Sequence, residues 1–481
     1  MKMRITAVVY LLLTCLNLVS CKKWMTTEPR VDVSADVQFA SEAGFKKALT
    51  DVYGRLTAAS LYGRAMSYGE MEFLMNSWDT AAPSVEKSLG MRDFSNTGVQ
   101  SVFKRVFEGL YGAIAAINEI LAHIDERKQV FSTVEMYNTI RSECLALRAF
   151  CHFDVLRIFG PEPGKADSRP VLPYVTNLTA ASRVHISCDA YMKALLSDLS
   201  DAAGLSEKVD PFIHYSQAQL SGGQAASLPG VADDFLTCRF IRMNYYAIKG
   251  LQARAYLWAG DNTSALACAR VVVDARNDDG RHKFPLGTAA SFVLADMNMV
   301  TEQMFGLYDV NITDAWGAVF GNGKLKKGTN AAIVTSQLYG NTGTDIRERL
   351  LWKQASSNAY TVLKYASAPQ QGTGRLGRNL IPLLRVSEMY LVAAETAPPA
   401  EANRIWNQFR AARNLAPDVL PVNQADKQRV LAREYHREFF AEGQSFYAYK
   451  RISEDHAAII WNDPAAAIAY QVPLPESEQY P

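Results

Sequence analysis

The sequence predicts a mainly α-helical protein in which helix pairs stack on one another, with long loop-rich insertions and a few short strands. Two neighbouring segments carry this prediction. Between Phe107 and Ile124, apolar residues recur at steps of three and four, the spacing of one helix face. The same pattern runs from Thr133 to Phe159 and stops at Gly160-Pro161, because proline cannot continue a helix. A hairpin of two such helices cannot bury its outer face alone, so further helices must pack against it.

Further helical segments follow this hairpin. The segment from Ala247 to Ala269 reads like a tetratricopeptide unit, because small residues stand where two helices would cross closely. A Gly-Asp-Asn turn at 260–262 separates its two helices. The predicted helices are Asp189–Ala203, Asn244–Trp258, Thr263–Ala275, Arg385–Glu395, Glu401–Arg413 and Asp426–Glu442. Together they predict a scaffold of stacked helix pairs.

Three long segments between the helices differ in composition. Residues 160–186, 205–235 and 310–380 are rich in Gly, Ser, Thr, Asn and Pro, and they also contain aromatic residues. Long irregular insertions in a compact domain are usually functional or disordered, and the aromatic residues argue against disorder. Within the third segment, Ala331–Val334 and Tyr360–Leu363 are β-prone, so we expect loops with short strands there.

The first 21 residues have the pattern of a lipoprotein signal. Two basic residues precede an apolar run from Ile5 to Leu16, which is too short to span a membrane and is followed by Leu18-Val19-Ser20-Cys21. We expect residues 1–20 to be removed as a signal peptide and the Cys21 thiol to carry the lipid. The alternative is an ordinary signal cleaved elsewhere, with Cys21 incidental. In the body, no stretch approaches the ~20 apolar residues of a spanning helix.

Composition and spacing exclude several classes of site. The 50 basic and 49 acidic side chains balance to a net charge of +1, and no basic stripe typical of a nucleic-acid binder is present. The body contains no CxxC, and Cys144 and Cys151 are two helical turns apart, so we expect buried free thiols. The histidines are scattered without ligand spacing, so we expect no metal site and no cofactor.

Charged residues on otherwise apolar helices admit two interpretations. Paired carboxylates could act as an acid and a base. Buried ion pairs that fix helix register explain them better, because the other positions of these helices are apolar. The residues are Arg148, Arg385, Glu388, Glu395, Arg437, Glu438 and Arg451. Since no GxGxxG, P-loop, HExxH or GxSxG stands in a supporting context, the sequence favours a binding protein over an enzyme.

Five blocks of the chain resemble, in order and spacing, the SusD/RagB family of outer-membrane nutrient-binding lipoproteins. Cys21 to Met25 with Glu28-Pro29 is similar to the family's anchor and tether, and Arg148 to Gly160 is similar to its Arg-Ala-aromatic helix that ends at Phe-Gly. The tetratricopeptide-like block comes next. The last two blocks are Ile381–Glu395, which resembles a Pro-x-x-Arg-x-x-Glu-x-Tyr-Leu helix, and Arg433–Gly443 with Lys450-Arg451. The chain departs from the family pattern at Gln444-Ser445, Ala448-Tyr449 and residues 396–402.

The resemblance implies a lipid-anchored tether at 21–36 and a single SusD-like domain at 37–481. Its helical scaffold would cover 37–300 and 381–455, with a variable, ligand-facing insertion at 301–380. The implied protein is anchored in the outer membrane by an acyl chain such as palmitate and faces the cell exterior. There it captures an oligosaccharide and delivers it to a SusC-like, TonB-dependent transporter. Three alternatives stay open: a peptide or glycopeptide receptor of the same uptake type, an assembly scaffold without a small ligand, and an unrecognised hydrolase.

A sugar-binding surface needs exposed aromatic platforms flanked by polar groups. Two loop-rich segments, Tyr62–Asp79 and Tyr308–Asn322, have this composition. The candidate ligand-binding residues are Tyr68, Asn76, Trp78 and Asp79 in the first segment and Tyr308, Asn311, Asp314 and Trp316 in the second. The alternative is that both tryptophans fill the core. A third aromatic group, predicted to be helix packing, comprises Tyr245, Tyr246, Tyr256 and Trp258.

Overall fold

The computed structural model describes residues 35–178, 184–222, 225–231, 233–356, 359–366, 379–467 and 469–478. The predicted signal peptide, Cys21 and the tether up to residue 34 lie outside this part of the chain. Within it, no helix is long and apolar enough to cross a membrane.

The fold is mainly helical, as the sequence predicts. In chain order the α-helices are α1 (Ala35–Gln38), α2 (Glu42–Leu56), α3 (Glu70–Phe73), α4 (Val85–Gly90), α5 (Thr97–Ile124), α6 (Val134–Phe159), α7 (Cys188–Ser206), α8 (Gln217–Ser221), α9 (Tyr245–Ala259), α10 (Asn262–Val273), α11 (Ala289–Val293), α12 (Ile312–Trp316), α13 (Ile346–Leu350), α14 (Val386–Thr396), α15 (Pro399–Ala412), α16 (Gln424–Glu438) and α17 (Ser445–Arg451). Short π-helical turns lie at Gly317–Gly321 and Val334–Leu338. The strands are β1 (Gln303–Tyr308), β2 (Trp352–Ser356), β3 (Ala359–Val362) and β4 (Leu380–Arg385).

Polar caps and glycine explain where the long helices begin and end. The Asn96 side chain accepts hydrogen bonds from two amides of the first turn of α5, and the Thr133 hydroxyl does the same for one amide of α6. At its other end, α9 stops at Gly260, whose φ of 79° is a left-handed conformation that glycine adopts without strain. The predicted helices are therefore confirmed, with ends shifted by a few residues.

The helices stack in pairs. α5 and α6 form the predicted hairpin, and α7 packs on the other side of α6. The tetratricopeptide-like pair α9 and α10 packs against α14, which in turn packs against α15. The third aromatic group lies within this scaffold as predicted, because Tyr245, Tyr246 and Trp258 are buried and Tyr256 is half-buried.

The C-terminal part of the scaffold differs from the prediction at one helix end. The predicted helix Asp426–Glu442 stops at Glu438, because Ala441 and Gly443 adopt positive φ angles of 63° and 69°. A side chain at Gly443 would meet the Met66 carbonyl oxygen at 2.2 Å, so glycine is required for the close approach of the two segments. The turn brings Glu442 to the buried Arg385.

Two small antiparallel sheets lie beside the helices. β1 pairs with β4, with Phe305 opposite Leu384, and β2 pairs with β3, with Trp352 opposite Val362. β3 confirms the strand predicted at Tyr360–Leu363. β1 and β4 were not predicted; β4 is buried at every position and so lacks the polar alternation that marks a half-exposed strand.

The prediction of a strand at Ala331–Val334 is wrong, because this run leads into the π-helical turn Val334–Leu338. The Asn330 side chain accepts a hydrogen bond from the Ala332 amide, and the Thr335 amide donates to the Ala331 carbonyl. Val334 and Leu338 then fall on one buried face. Local capping and burial at a four-residue spacing outweigh the β propensity of the run.

The body cysteines of the described chain are free thiols. Cys144, Cys151 and Cys188 are buried, as predicted, whereas Cys238 and Cys268 are half-buried. Burial raises the pKa of the Cys188 thiol and of the Cys268 thiol.

Candidate functional site

The charged residues on the scaffold helices form buried ion pairs. Arg385 lies at the centre: its guanidinium contacts Glu302 at 2.8 Å, Glu438 at 2.7 Å and Glu442 at 2.9 Å. Burial by itself would raise the pKa of Glu438, but Arg413, Arg385 and Arg347 outweigh burial and hold that pKa well below its ordinary value. Glu438 is therefore a charged structural group and not a poised acid.

The other predicted charged residues are paired in the same way. Their partners are Asp198 for Arg148 at 2.7 Å, Arg254 for Glu388 at 2.5 Å, Arg451 for Glu395 at 2.6 Å and Glu434 for Arg437 at 3.1 Å. This confirms the ion-pair interpretation. Since their carboxylates and guanidiniums are already engaged with one another, these residues define no open site for acid and base chemistry.

The aromatic residues of the first predicted segment are buried, which contradicts their prediction as exposed platforms. Tyr68 is 3% exposed and Trp78 is 1% exposed. The Trp78 indole donates to the Tyr68 carbonyl at 2.7 Å and makes edge contacts with Phe320 and Phe440. Burial raises the pKa of the Tyr68 hydroxyl to about 12. Trp78 is therefore a core residue, because its apolar faces and its single donor are all satisfied inside the protein.

The polar residues of the first segment hold a neighbouring loop. The Asn76 carbonyl accepts a hydrogen bond from Lys327 Nζ at 2.7 Å, and the Asn76 side chain donates to the Gly90 carbonyl at 3.1 Å. Asp79 is exposed, but its carboxylate accepts from the Gly328 amide at 2.8 Å and lies 3.6 Å from Lys327 Nζ. The Asn76 carbonyl and the Asp79 carboxylate thus tie the loop at 326–328 to the first segment, whereas the Asn76 side chain binds Gly90.

The second predicted segment reaches the surface. Tyr308, at the end of β1, is 41% exposed, and its hydroxyl accepts a hydrogen bond from the Asn379 side chain at 3.0 Å. Asn311 and Asp314 are exposed, and Trp316 is half-buried at the end of α12. The Trp316 indole donates to the Val362 carbonyl at 3.2 Å, so strand β3 fixes its orientation. Trp316 therefore fits neither the fully exposed platform nor the fully buried core residue.

The two segments meet at Phe320, which sequence reasoning did not single out. This buried ring is stacked on Trp316, with centroids 6.2 Å apart, and it also contacts Tyr68 and Trp78, each at 5.3 Å. The buried aromatic residues of the first segment thus support the half-exposed indole of the second. The helical step of four residues from Trp316 to Phe320 was the available signal for this contact.

Sequence reasoning also missed two residues that contact Trp316 and Tyr308. Lys353 of β2 places its Nζ atom 5.6 Å from the centroid of the Trp316 ring, and Asn379 orients Tyr308. A second half-buried tryptophan, Trp461, contacts Phe440 at 6.1 Å and donates to the Gln337 side chain at 2.5 Å. Nothing local in the sequence connects these positions, because each comes from a different segment.

Two large grooves of the described chain, of about 800 and 460 Å³, contain none of the predicted ligand residues. The larger of these two lies between the first turns of α5 and residues 472–477. In the same part of the chain, no group of three or more His, Cys, Asp or Glu side chains converges as it would around a metal ion. The candidate site is therefore an open surface around Trp316 and Tyr308.

Comparison with known proteins identifies the fold. Residues 31–218 match the SusD-like family described as starch-binding and associating with the outer membrane. No curated protein sequence matches the chain. A SusD-like carbohydrate-binding protein from Bacteroides vulgatus has a similar structure, with 16% identity, a TM-score of 0.64 and coverage of 86% of this chain and 84% of that one.

Other solved structures agree. A second SusD superfamily protein from Bacteroides vulgatus is 19% identical, with a TM-score of 0.64 over 89% of this chain and 92% of that one. A laminarin-binding SusD-like protein is 14% identical, with a TM-score of 0.58 over 87% of this chain and 93% of that one. The match of residues 31–218 to the SusD-like family and the similar structures over most of the chain lead to one conclusion: this protein has the SusD-like fold, and its N-terminal part is similar in sequence to that family.

Proposed function

We propose that this protein is a cell-surface glycan-binding lipoprotein that captures an oligosaccharide through the surface around Trp316. The observation that carries the proposal is the half-exposed Trp316 indole, held in a fixed orientation by Val362 and Phe320, with the exposed ring of Tyr308 in the same segment. On a SusD-like fold, such a surface is suited to a sugar ring. The insertion at 301–380 would then be the ligand-facing part of the domain.

The physical basis is stacking of apolar C–H groups on an indole. At ~25 cal/mol per Å² of buried apolar area, one platform contributes on the order of 1–3 kcal/mol to binding. A platform that is already fixed loses little side-chain entropy when a ligand binds, which favours affinity. Asn311 stands at the start of α12, and Asp314 lies within this helix, which ends at Trp316. Both side chains are exposed and supply hydrogen-bonding groups for a ligand.

The test is glycan binding by the soluble body, residues 22–481, on an array that includes laminarin oligosaccharides. These are a natural probe because one of the structurally similar proteins binds laminarin. Trp316→Ala should weaken binding about ten- to hundred-fold. Its thermal midpoint should stay close to that of the unmodified protein, since the indole is only partly buried.

Trp461→Ala is the matched control, because Trp461 is also half-buried and its ring contacts a different aromatic residue, Phe440. Equal binding by Trp316→Ala and the unmodified protein would place the ligand elsewhere. Binding to peptides but to no glycan would favour the peptide receptor. Binding to neither, together with capture of a folded partner protein, would favour the assembly scaffold.

The proposal includes lipid anchoring in the outer membrane. It is supported by the Leu18-Val19-Ser20-Cys21 pattern and by a family described as associating with that membrane. Cys21→Ser should release the protein from membranes or leave it unprocessed. Metabolic labelling with an alkyne fatty acid measures this, and unchanged label in the variant would reject Cys21 as the acylated residue.

Delivery to a TonB-dependent transporter is the remaining part of the proposal. It is supported by the family resemblance over the helical scaffold. Affinity purification of the tagged, lipidated protein from detergent-solubilised outer membranes should recover a SusC-like transporter. If the protein is recovered alone and still binds glycan, the proposed delivery to a transporter is contradicted and the proposed glycan capture stands.

A further inference from the structure

We infer that the sugar bound at Trp316 is acidic, and that Lys353 is the residue that selects it. This inference rests on the proposed glycan-binding function and names the ligand class of the same surface. The observation behind it is that the Lys353 ammonium lies over the half-exposed Trp316 indole, on which the sugar would stack.

The β2–β3 hairpin holds both groups. The Trp316 indole donates to the Val362 carbonyl at 3.2 Å, and Val362 pairs with Trp352, the residue before Lys353. Lys353 itself pairs with Thr361, and its Nζ lies 5.6 Å from the Trp316 ring centroid. The backbone of one hairpin therefore places Lys353 beside the Trp316 ring, within reach of its ammonium.

Lys353 also has no acidic partner in the described part of the chain. It is exposed and forms no ion pair with any carboxylate there. Lys327 is the contrast: it is buried, it lies 3.6 Å from Asp79, and burial lowers the pKa of its ammonium. The charge of Lys353 is thus free to meet a negative group on a ligand, whereas the charge of Lys327 serves the loop.

The Lys353 ammonium and the Trp316 ring together favour acidic ligands over neutral ones. A neutral ring must compete with the ammonium for the Trp316 face and gains no charged partner in return. A uronate or sulfated ring can stack on the indole while its anionic group binds the Lys353 ammonium. That contact is a charge-assisted hydrogen bond, which is stronger than a hydrogen bond between neutral groups. Asp314, exposed on α12, is the acidic residue nearest to Trp316 in the sequence, and it forms no ion pair with Lys353.

The experiment uses acidic polysaccharides in matched forms. Each uronate polymer is tested beside its carboxyl-reduced form, and each sulfated polymer beside its desulfated form, against residues 22–481. The native acidic form should bind more tightly than its neutral counterpart. Lys353→Met should weaken binding of the acidic form about tenfold and leave that of the neutral form unchanged or slightly stronger.

Two controls give the test its specificity. Lys324→Met removes an exposed lysine of the same insertion and should change neither ligand's affinity. Added salt should weaken acidic binding to the unmodified protein more than to Lys353→Met, since screening acts on the charge pair.

The outcomes separate the two proposals. Neutral forms that bind as well as acidic ones, with Trp316-dependent affinity and no effect of Lys353→Met, would overturn the inference and keep the glycan-binding function. Failure of every glycan to bind would overturn both. Circular dichroism of Lys353→Met checks its fold, which an exposed side chain should not alter.

Discussion

The segments 62–79 and 308–322 have the same kind of composition but opposite structural roles. Both combine aromatic residues with Asn and Asp. In the first, Trp78 is 1% exposed and its indole donor is bound to a carbonyl inside the core. In the second, Tyr308 is 41% exposed and Trp316 is half-buried. The aromatic rings of the first segment thus fill the core, whereas those of the second are partly exposed to solvent.

The difference teaches that composition cannot distinguish a platform from a core residue. What decides is which other segments cover the ring. Phe440, from the C-terminal part of the scaffold, covers Trp78, whereas Phe320 supports Trp316 from within its own segment. Changing one residue in each environment should therefore cause losses of different size.

The largest effect is expected outside both segments, in the buried ion-pair cluster around Glu438. Glu438→Ala leaves Arg347, Arg385 and Arg413 without a carboxylate that each of them contacts. We expect a loss of about 5 kcal/mol in the free energy of unfolding, because unpaired buried charges are costly. Thermal melts followed by circular dichroism measure it. Glu108→Ala on the exposed face of α5, where the partner Lys104 lies at 3.8 Å, should cost less than about 0.5 kcal/mol.

The next effect tests the core role of Trp78. Trp78→Ala should cost about 3–5 kcal/mol, because it leaves a cavity among Phe320 and Phe440 and strands the Tyr68 carbonyl. Its thermal midpoint should fall by several degrees, well below that of Trp316→Ala. Equal midpoints for the two alanine variants would remove the distinction between the segments.

A pH effect on stability is expected in the first segment, at Glu72. Burial raises the pKa of Glu72 to about 7 from its ordinary 4.5, although hydrogen bonds from Ser77 and the Gly443 amide and the charge of Lys364 lower it. Between these pH values the folded state keeps a proton that the unfolded state releases, so stability falls as the pH rises from about 4.5 to 7.

Glu72→Gln stays neutral and should lack that fall. Relative to the unmodified protein, its free energy of unfolding should rise by up to about 3 kcal/mol between about pH 5 and pH 8. Urea titrations at each pH measure this. Glu108→Gln, at an exposed site, should run parallel to the unmodified protein, and parallel curves for Glu72→Gln would contradict the raised pKa.

The smallest effect is expected at Tyr308. Tyr308→Ala should change the free energy of unfolding by about 0.5 kcal/mol or less, because Tyr308 is a surface residue with 41% of its area exposed. Glycan binding should weaken by less than about tenfold, since the ring offers only part of a stacking surface. Tyr308→Phe separates the ring from the hydroxyl that accepts from Asn379. A large loss of stability would instead assign Tyr308 to the core.

Much of the scaffold could be predicted because its signals are local. The helical spacing of apolar residues and the capping residues at Asn96 and Thr133 lie within each helix. The candidate surface was predicted only in part. Trp316 and Tyr308 carried a local aromatic signal, but Lys353 and Asn379 join them from other segments.

The sequence by itself determined the helical class, the order of the stacked pairs and the need to pair the charges on apolar helices, because periodicity and charge placement act within a few turns. Only the tertiary structure decided which aromatic rings are covered, which run of β-prone residues becomes a helical turn, and which lysine keeps a free charge. Those outcomes depend on burial by distant segments. Burial is set by the packing of the whole chain and not by any one stretch of it.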